Sequence, residues 1–168
     1  SLHPQIPIGG QLTDHMRRHL GLARGEAEDR AVGLLEKVRV PAPRQALRRY
    51  PHQFSGGQRQ RIAIAIALAA EPEILLADEP TTALDVTVQA GVLHLIRDLA
   101  DETGVGVLLV THDLGVMSAV ADDVAVMRRG EIVEAAARSA LFLRPQHEST
   151  RALLAALPGA GEATRWRF

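Results

Sequence analysis

The sequence has 168 residues, 46% hydrophobic and only 3% aromatic, with a formal net charge of −1 and no cysteine. This is enough chain for one domain with an aliphatic core. The near-neutral charge gives no support to general nucleic-acid or membrane-surface binding, and without cysteine there is no disulfide, thiolate zinc site or iron–sulfur cluster. No apolar run approaches the ~20 residues of a membrane span and no signal peptide is visible, so a soluble cytoplasmic domain is expected.

The chain opens Ser1-Leu2-His3-Pro4 without a methionine, as expected of a fragment. Helical patterning starts at Ile8 and runs to His19. A second helix is predicted over Glu26 to Val38, with Ala27, Ala31, Leu34, Leu35 and Val38 on one face. Pro41 and Pro43 end it, and Arg44 to Tyr50 reads as a short third helix closed by Pro51. His15 and His19 stand one helical turn apart, but no third metal ligand accompanies them, so they read as a solvated face. Arg44, Arg48 and Arg49 likewise read as a solvated face with some capacity for anions.

Next comes F-S-G-G-Q-R-Q-R. Ser55 is a good N-cap, and Gly56 and Gly57 let backbone approach a ligand closely. A helix opening here presents N–H groups and its positive dipole end, a geometry suited to phosphate. Behind it Arg61 to Ala70 is apolar on all sides, which predicts a buried helix. Glu71-Pro72 breaks it. Ile74 to Ala77 is then a continuous apolar run, expected of a parallel strand covered on both faces. Asp78 and Glu79 stand at its carboxyl end, where α/β sheets place their chemistry. One carboxylate there suits Mg²⁺ held through water, and its neighbour suits the orientation or activation of an attacking water.

Val86 to Glu102 is an amphipathic helix stopped by Gly104. Val105 to Val110 reads as a second buried strand, with Thr111-His112-Asp113 at its carboxyl end and Asp113 as the cap of a helix over Leu114 to Ala121. Val124 to Met127 and Ile132 to Glu134 flank Arg129-Gly130 as a hairpin. Arg138 to Leu143 and Ser149 to Leu157 are the last predicted helices. The tail from Pro158 to Phe168 reads as frayed.

S-G-G-Q, followed by four apolar residues and D-E-P, then Ala83-Leu84-Asp85 and His112, resembles the ATP-binding cassette (ABC) ATPases. The resemblance implies an α/β, P-loop NTPase-like fold held in part: a helical subdomain over 1–53, a core portion over 54–135 and C-terminal helices over 136–168. It makes Ser55, Gly56, Gly57 and Gln58 the signature, which touches the γ-phosphate of ATP held by a second ABC ATPase subunit. It makes Asp78 the Mg²⁺ carboxylate, Glu79 and His112 the catalytic residues, and Asp85 a D-loop residue crossing the dimer interface. Tyr50-Pro51-His52-Gln53-Phe54, T-T-A-L-D-V-T-V-Q-A at 81–90 and T-R-A-L-L-A-A-L-P at 150–158 look like the dipeptide/oligopeptide (and nickel) importer group. Gln146 to Thr150 departs from that group's H-P-Y-T.

The phosphate loop G-x-x-x-x-G-K-[ST] does not occur in these residues. The only lysine, Lys37, lies within a helix between Glu36 and Val38. The resemblance thus implies the later portion of an ATPase subunit, inactive alone, that works with transmembrane permease subunits at the cytoplasmic side of the cell membrane, with no nucleic acid expected. The other readings are a non-catalytic chain that offers its signature to a partner, or an ABC ATPase of DNA repair or translation. The 150–158 segment and the lack of coiled-coil heptads argue against the last.

Overall fold

The first helix, α1 (Ile8–Leu20), has no side-chain cap at its start. Its first two N–H groups donate instead to the carbonyls of Arg49 (2.9 Å, from Ile8) and Leu47 (2.8 Å, from Gly9). Helix starts must find such partners for their open donors. This contact also explains why the third helix is shorter than its sequence pattern. Helix α3 spans only Pro43–Ala46, because the next carbonyls are committed to α1 and Tyr50, preceding Pro51, is held extended at φ −92° and ψ 156°. A 3₁₀ turn over Pro51–Gln53 follows.

The structure, a computed structural model, describes residues 2–82 and 84–156. Ser1, Ala83, the end of the last expected helix at Leu157 and the tail 158–168 lie outside the described residues. The chain divides into two units, Ser1–Val110 and Thr111–Phe168.

The first unit continues with α2 (Arg24–Lys37), α4 (Gly56–Leu68), β1 (Ile74–Asp78), α5 (Val86–Thr103) and β2 (Gly106–Val110). Its core joins Ile8, Leu12 and Met16 of α1 to Ala31 and Leu35 of α2, Ile62 and Ala65 of α4, and Val92, Leu95 and Ile96 of α5. The expectation that the helix behind the turn is buried on all sides is corrected: α4 buries Ile62, Ile64, Ala65 and Leu68, whereas Gly56, Arg59 and Ala67 are exposed, because it packs on the core along one face only. Gly104 ends α5 at φ 73°, as its position in the sequence anticipates. Lys37 meets Glu102 at 3.6 Å on the exposed surface, which accounts for the single lysine without a phosphate. His15 and His19 are exposed and stack with ring centroids 5.8 Å apart.

Strands β1 and β2 pair in parallel, Ile74 opposite Gly106 and Asp78 opposite Val110. The expectation that both are covered on both faces is corrected here. Leu75 and Ala77 turn inward, but Ile74, Leu76, Leu108 and Val110 are 65%, 72%, 56% and 51% exposed. Alternate side chains of a strand point to opposite faces, and helices cover only one face of this pair. The continuous apolar run therefore does not mark burial on both sides in this chain.

The second unit holds α6 (Leu114–Val120), β3 (Asp123–Arg128), β4 (Glu131–Ala137), α7 (Arg138–Leu143) and α8 (Glu148–Ala155). β3 and β4 form the expected antiparallel hairpin, longer than the apolar pattern suggested. Arg129 and Gly130 make its two-residue turn, both at positive φ (53° and 84°), the condition for a turn that matches strand twist. Val124 and Val126 pack on Leu141 and Phe142.

Glu134 ties the hairpin to the start of α8. Its carboxylate accepts the N–H of Gln146 at 2.8 Å and that of His147 at 2.9 Å, and the His147 ring in turn caps α8 by accepting the Ser149 N–H at 3.1 Å. The Gln146 N–H, with the His147 N–H beside it, holds the Glu134 carboxyl below the usual carboxylate range.

Two expected outcomes follow from these contacts. Gly9→Ala places a Cβ 2.8 Å from the Leu47 carbonyl oxygen, so urea denaturation is expected to show a loss of about 1–3 kcal/mol. Glu134 has a lowered folded pKa, so its contribution is present above its unfolded pKa and is lost as pH falls through the folded value. Glu134→Gln is therefore expected to lower the melting midpoint at neutral pH and to leave a smaller acid-induced decline, checked by thermal melts across pH 2 to 7 (about the carboxylate range).

Candidate functional site

The signature turn is built by its own side chains. Ser55 accepts the Gln58 N–H on its hydroxyl oxygen at 3.3 Å, and the Ser55 N–H donates to Gln58 Oε1 at 3.1 Å. This is a reciprocal capping box, so the sequence reading of Ser55 as N-cap holds and Gln58 proves to be its partner. Phe54 is buried beneath, with the Arg49 guanidinium 4.3 Å over its ring. Ser55 and Gly56 are exposed and Gly57 and Gln58 partly so. The helix opening therefore faces solvent from a fixed base.

Gly57 has a reason the sequence alone did not supply. A Cβ there would lie 2.5 Å from Val88 Cγ1, and one at Gly56 would lie 3.4 Å from Leu84 Cδ2. The turn is pressed against the opening of α5, and the missing side chains allow this internal contact as well as any approach to a ligand. Asp85 caps α5, accepting the Val88 N–H at 2.9 Å. That capping role was legible as an Asp placed just before an apolar-periodic run. The structure thus brings Ser55–Gln58 and Asp85 to the neighbouring openings of two packed helices.

Asp78 and Glu79 stand at the carboxyl end of β1. Asp78 is exposed and makes no ion pair among the described residues. Its single carboxylate fits Mg²⁺, which keeps several waters and takes phosphate oxygens as its other ligands. Among the described residues no group of three or more His, Cys, Asp or Glu is arranged as an all-protein metal cage.

Glu79 sits at φ 47°, a left-handed conformation that is uncommon without glycine. Its N–H extends the ladder by donating to the Val110 carbonyl at 2.9 Å. Its carboxylate accepts the Thr82 hydroxyl at 3.0 Å on Oε2, and its carbonyl accepts the Thr82 N–H at 3.2 Å. Thr82 was not singled out from the sequence. Its only signal there is its place three residues after Glu79 in a turn.

His112 belongs to the second unit, where it is exposed just ahead of α6. Next to it, the Asp113 N–H donates to the Thr111 hydroxyl at 3.1 Å, and Asp113 caps α6 by accepting the Gly115 N–H at 2.8 Å. The expected cap at Asp113 is present.

Residues 2–82 match the family described as ABC transporter. The chain is 50% identical over 161 residues to the glutathione import ATP-binding protein GsiA of Pectobacterium atrosepticum, covering 96% of this chain and 26% of that protein. The chain carries an ABC transporter domain over residues 2–82. It is also 48% identical over 158 residues to the dipeptide transport ATP-binding protein DppD of Bacillus subtilis, covering 94% of this chain and 47% of the relative. A solved dimeric ABC cassette, MJ0796 in a post-hydrolysis state with ADP and Pi, superposes with a TM-score of 0.66 at 30% identity, over 82% of this chain and 59% of that one. The ABC chain described here therefore spans about a quarter to a half of the length of the curated relatives it matches. Its α/β fold, helices followed by a parallel pair, is that of the ABC cassettes.

The cap is the part of this site that can be tested without any ligand. Ser55→Ala removes the acceptor for the Gln58 N–H and is expected to cost roughly 1 kcal/mol of stability, read as a shift of the urea midpoint with an unchanged denaturant slope.

Proposed function

We propose that this chain is the later portion of an ATP-hydrolysing subunit of an importer for peptides or peptide-like solutes. The observation that carries the reading is a pair of features in one unit. A capped, solvent-facing signature turn rests on the opening of α5, and two adjacent carboxylates end the parallel strand β1. The names of the relatives, which are import and transport ATP-binding proteins, support the solute class. The dimeric cassette neighbour supports a two-subunit arrangement.

In this reading the first three helices serve as the helical subdomain, residues 1–53, and face the transmembrane permease subunits from the cytoplasmic side. Residues 54–135 contribute to the ATPase core, and 136–168 supply C-terminal helices. Ser55, Gly56, Gly57 and Gln58 meet the γ-phosphate of ATP held by a second, identical or paralogous, ABC subunit. The helix opening suits that oxyanion because its N–H groups and dipole favour negative charge. Asp85 reaches across the same interface.

Asp78 would hold Mg²⁺ through water, and the ion would supply positive charge for the phosphates when bound. Glu79 accepts a proton from, or orients, the water aligned with the γ-phosphate, and His112 contacts that phosphate. The protein contribution is mainly placement and charge stabilisation. No lysine-bearing phosphate loop occurs in these 168 residues, so Asp78, Glu79 and His112 act on nucleotide only where a complete subunit supplies that loop.

The expected outcomes are paired. The 168-residue chain by itself is expected to release phosphate from ATP no faster than a no-protein control in a coupled assay. The complete subunit is expected to turn ATP over, and Glu79→Gln is expected to reduce that rate to background while leaving nucleotide binding intact. Turnover by the Glu79→Gln subunit at the parent rate would remove Glu79 from the chemistry.

A further inference from the structure

We propose that Thr82 is a positioning residue that fixes the Glu79 carboxylate for its task. The inference rests on the reading of Glu79 just given and adds a residue that the signature and strand motifs do not supply.

The geometry is local and tight. The bonds of Glu79 include its N–H on the Val110 carbonyl, its carbonyl on the Thr82 N–H, and its Oε2 on the Thr82 hydroxyl at 3.0 Å. Its backbone is left-handed at φ 47°, a conformation that persists only where surrounding contacts over-determine it. Pro80 and Thr81, between the two residues, are buried, and proline fixes its own φ. The span from Glu79 to Thr82 is therefore a closed, anchored turn.

Thr82 itself is exposed. Burial therefore does not account for the orientation of its hydroxyl. A β-branched side chain has few χ1 choices, and the one adopted aims the hydroxyl at Oε2. A donor on one carboxylate oxygen sets the plane of the group, and with it the direction of the lone pairs that accept a proton from water. A general base works only within hydrogen-bond reach and in line with its proton. A carboxylate on a flexible side chain is less well aligned once one of its hydrogen-bond donors is removed.

The hydroxyl, rather than the shape of the residue, carries the effect. Thr82→Val keeps the β-branch and removes the donor. Thr82→Ser keeps the donor and removes the methyl. The test is steady-state ATP turnover by the complete subunit, with the phosphate loop in cis, for the parent, Val, Ser, Ala and Glu79→Gln forms. The Val and Ala forms are expected to lose about ten- to a hundredfold in kcat, the scale of a misplaced catalytic group. Their KM for ATP should stay within about twofold of the parent, since the bond orients the base rather than binding nucleotide. The Ser form should keep kcat within about threefold of the parent.

Equal losses in Val and Ser, or a Val form as fast as the parent, would overturn the proposal. So would a rise in KM without a fall in kcat. The Ala form serves if the Val form melts early. Parent-like turnover in the Glu79→Gln form is a separate failure, of the reading of Glu79 itself, and it is distinguishable because it does not depend on position 82.

Discussion

The contact of the signature turn with the opening of α5 is the constraint on which the site depends. Gly57 lies so close to Val88 that an added Cβ would sit 2.5 Å from Val88 Cγ1. Two helix openings, one capped by Ser55 and the other by Asp85, are thereby held side by side. Each cap satisfies donors that a helix leaves open, and each leaves its polar end toward solvent. The buried faces of α4 and α5, with Ile62, Ala65, Val92 and Ile96, supply the rigidity behind them. Burial of such aliphatic side chains is worth roughly 1.5–3 kcal/mol each, so the polar turn rests on far more favourable energy than its own hydrogen bonds contribute.

Much of this was legible in the residues. Helices α1, α2 and α5 appear where the apolar spacing puts them, because periodicity and burial have the same cause. Ser55, Asp113 and Gly104 hold the capping positions that their chemistry favours. The hairpin turns at Arg129-Gly130, where both residues must accept positive φ. The family resemblance rests on short motifs at a particular spacing and agrees with the comparisons.

What was not legible depended on contacts between distant segments. Leu47 and Arg49 lie in an acceptable helical pattern, yet their carbonyls turn to α1 and the helix stops at Ala46. The strand Ile74–Asp78 reads as fully enclosed, but an apolar run reports what a strand tolerates, not what lies on each side of it. Gly57 reads as room for a ligand when its first neighbour is Val88. Thr82 was not singled out for chemistry, since a single hydroxyl at a turn is ordinary until its partner is known to be Glu79. Local rules find elements well, whereas the pairing of elements decides which residue of a motif is held by which.

On the proposed reading of Glu79, its left-handed backbone sets thermal tolerance against turnover at one residue. Glycine would relax that backbone, relieving a cost on the order of 1 kcal/mol, and would erase the acid. A substitution that made the chain sturdier would then remove the carboxylate proposed to act on water.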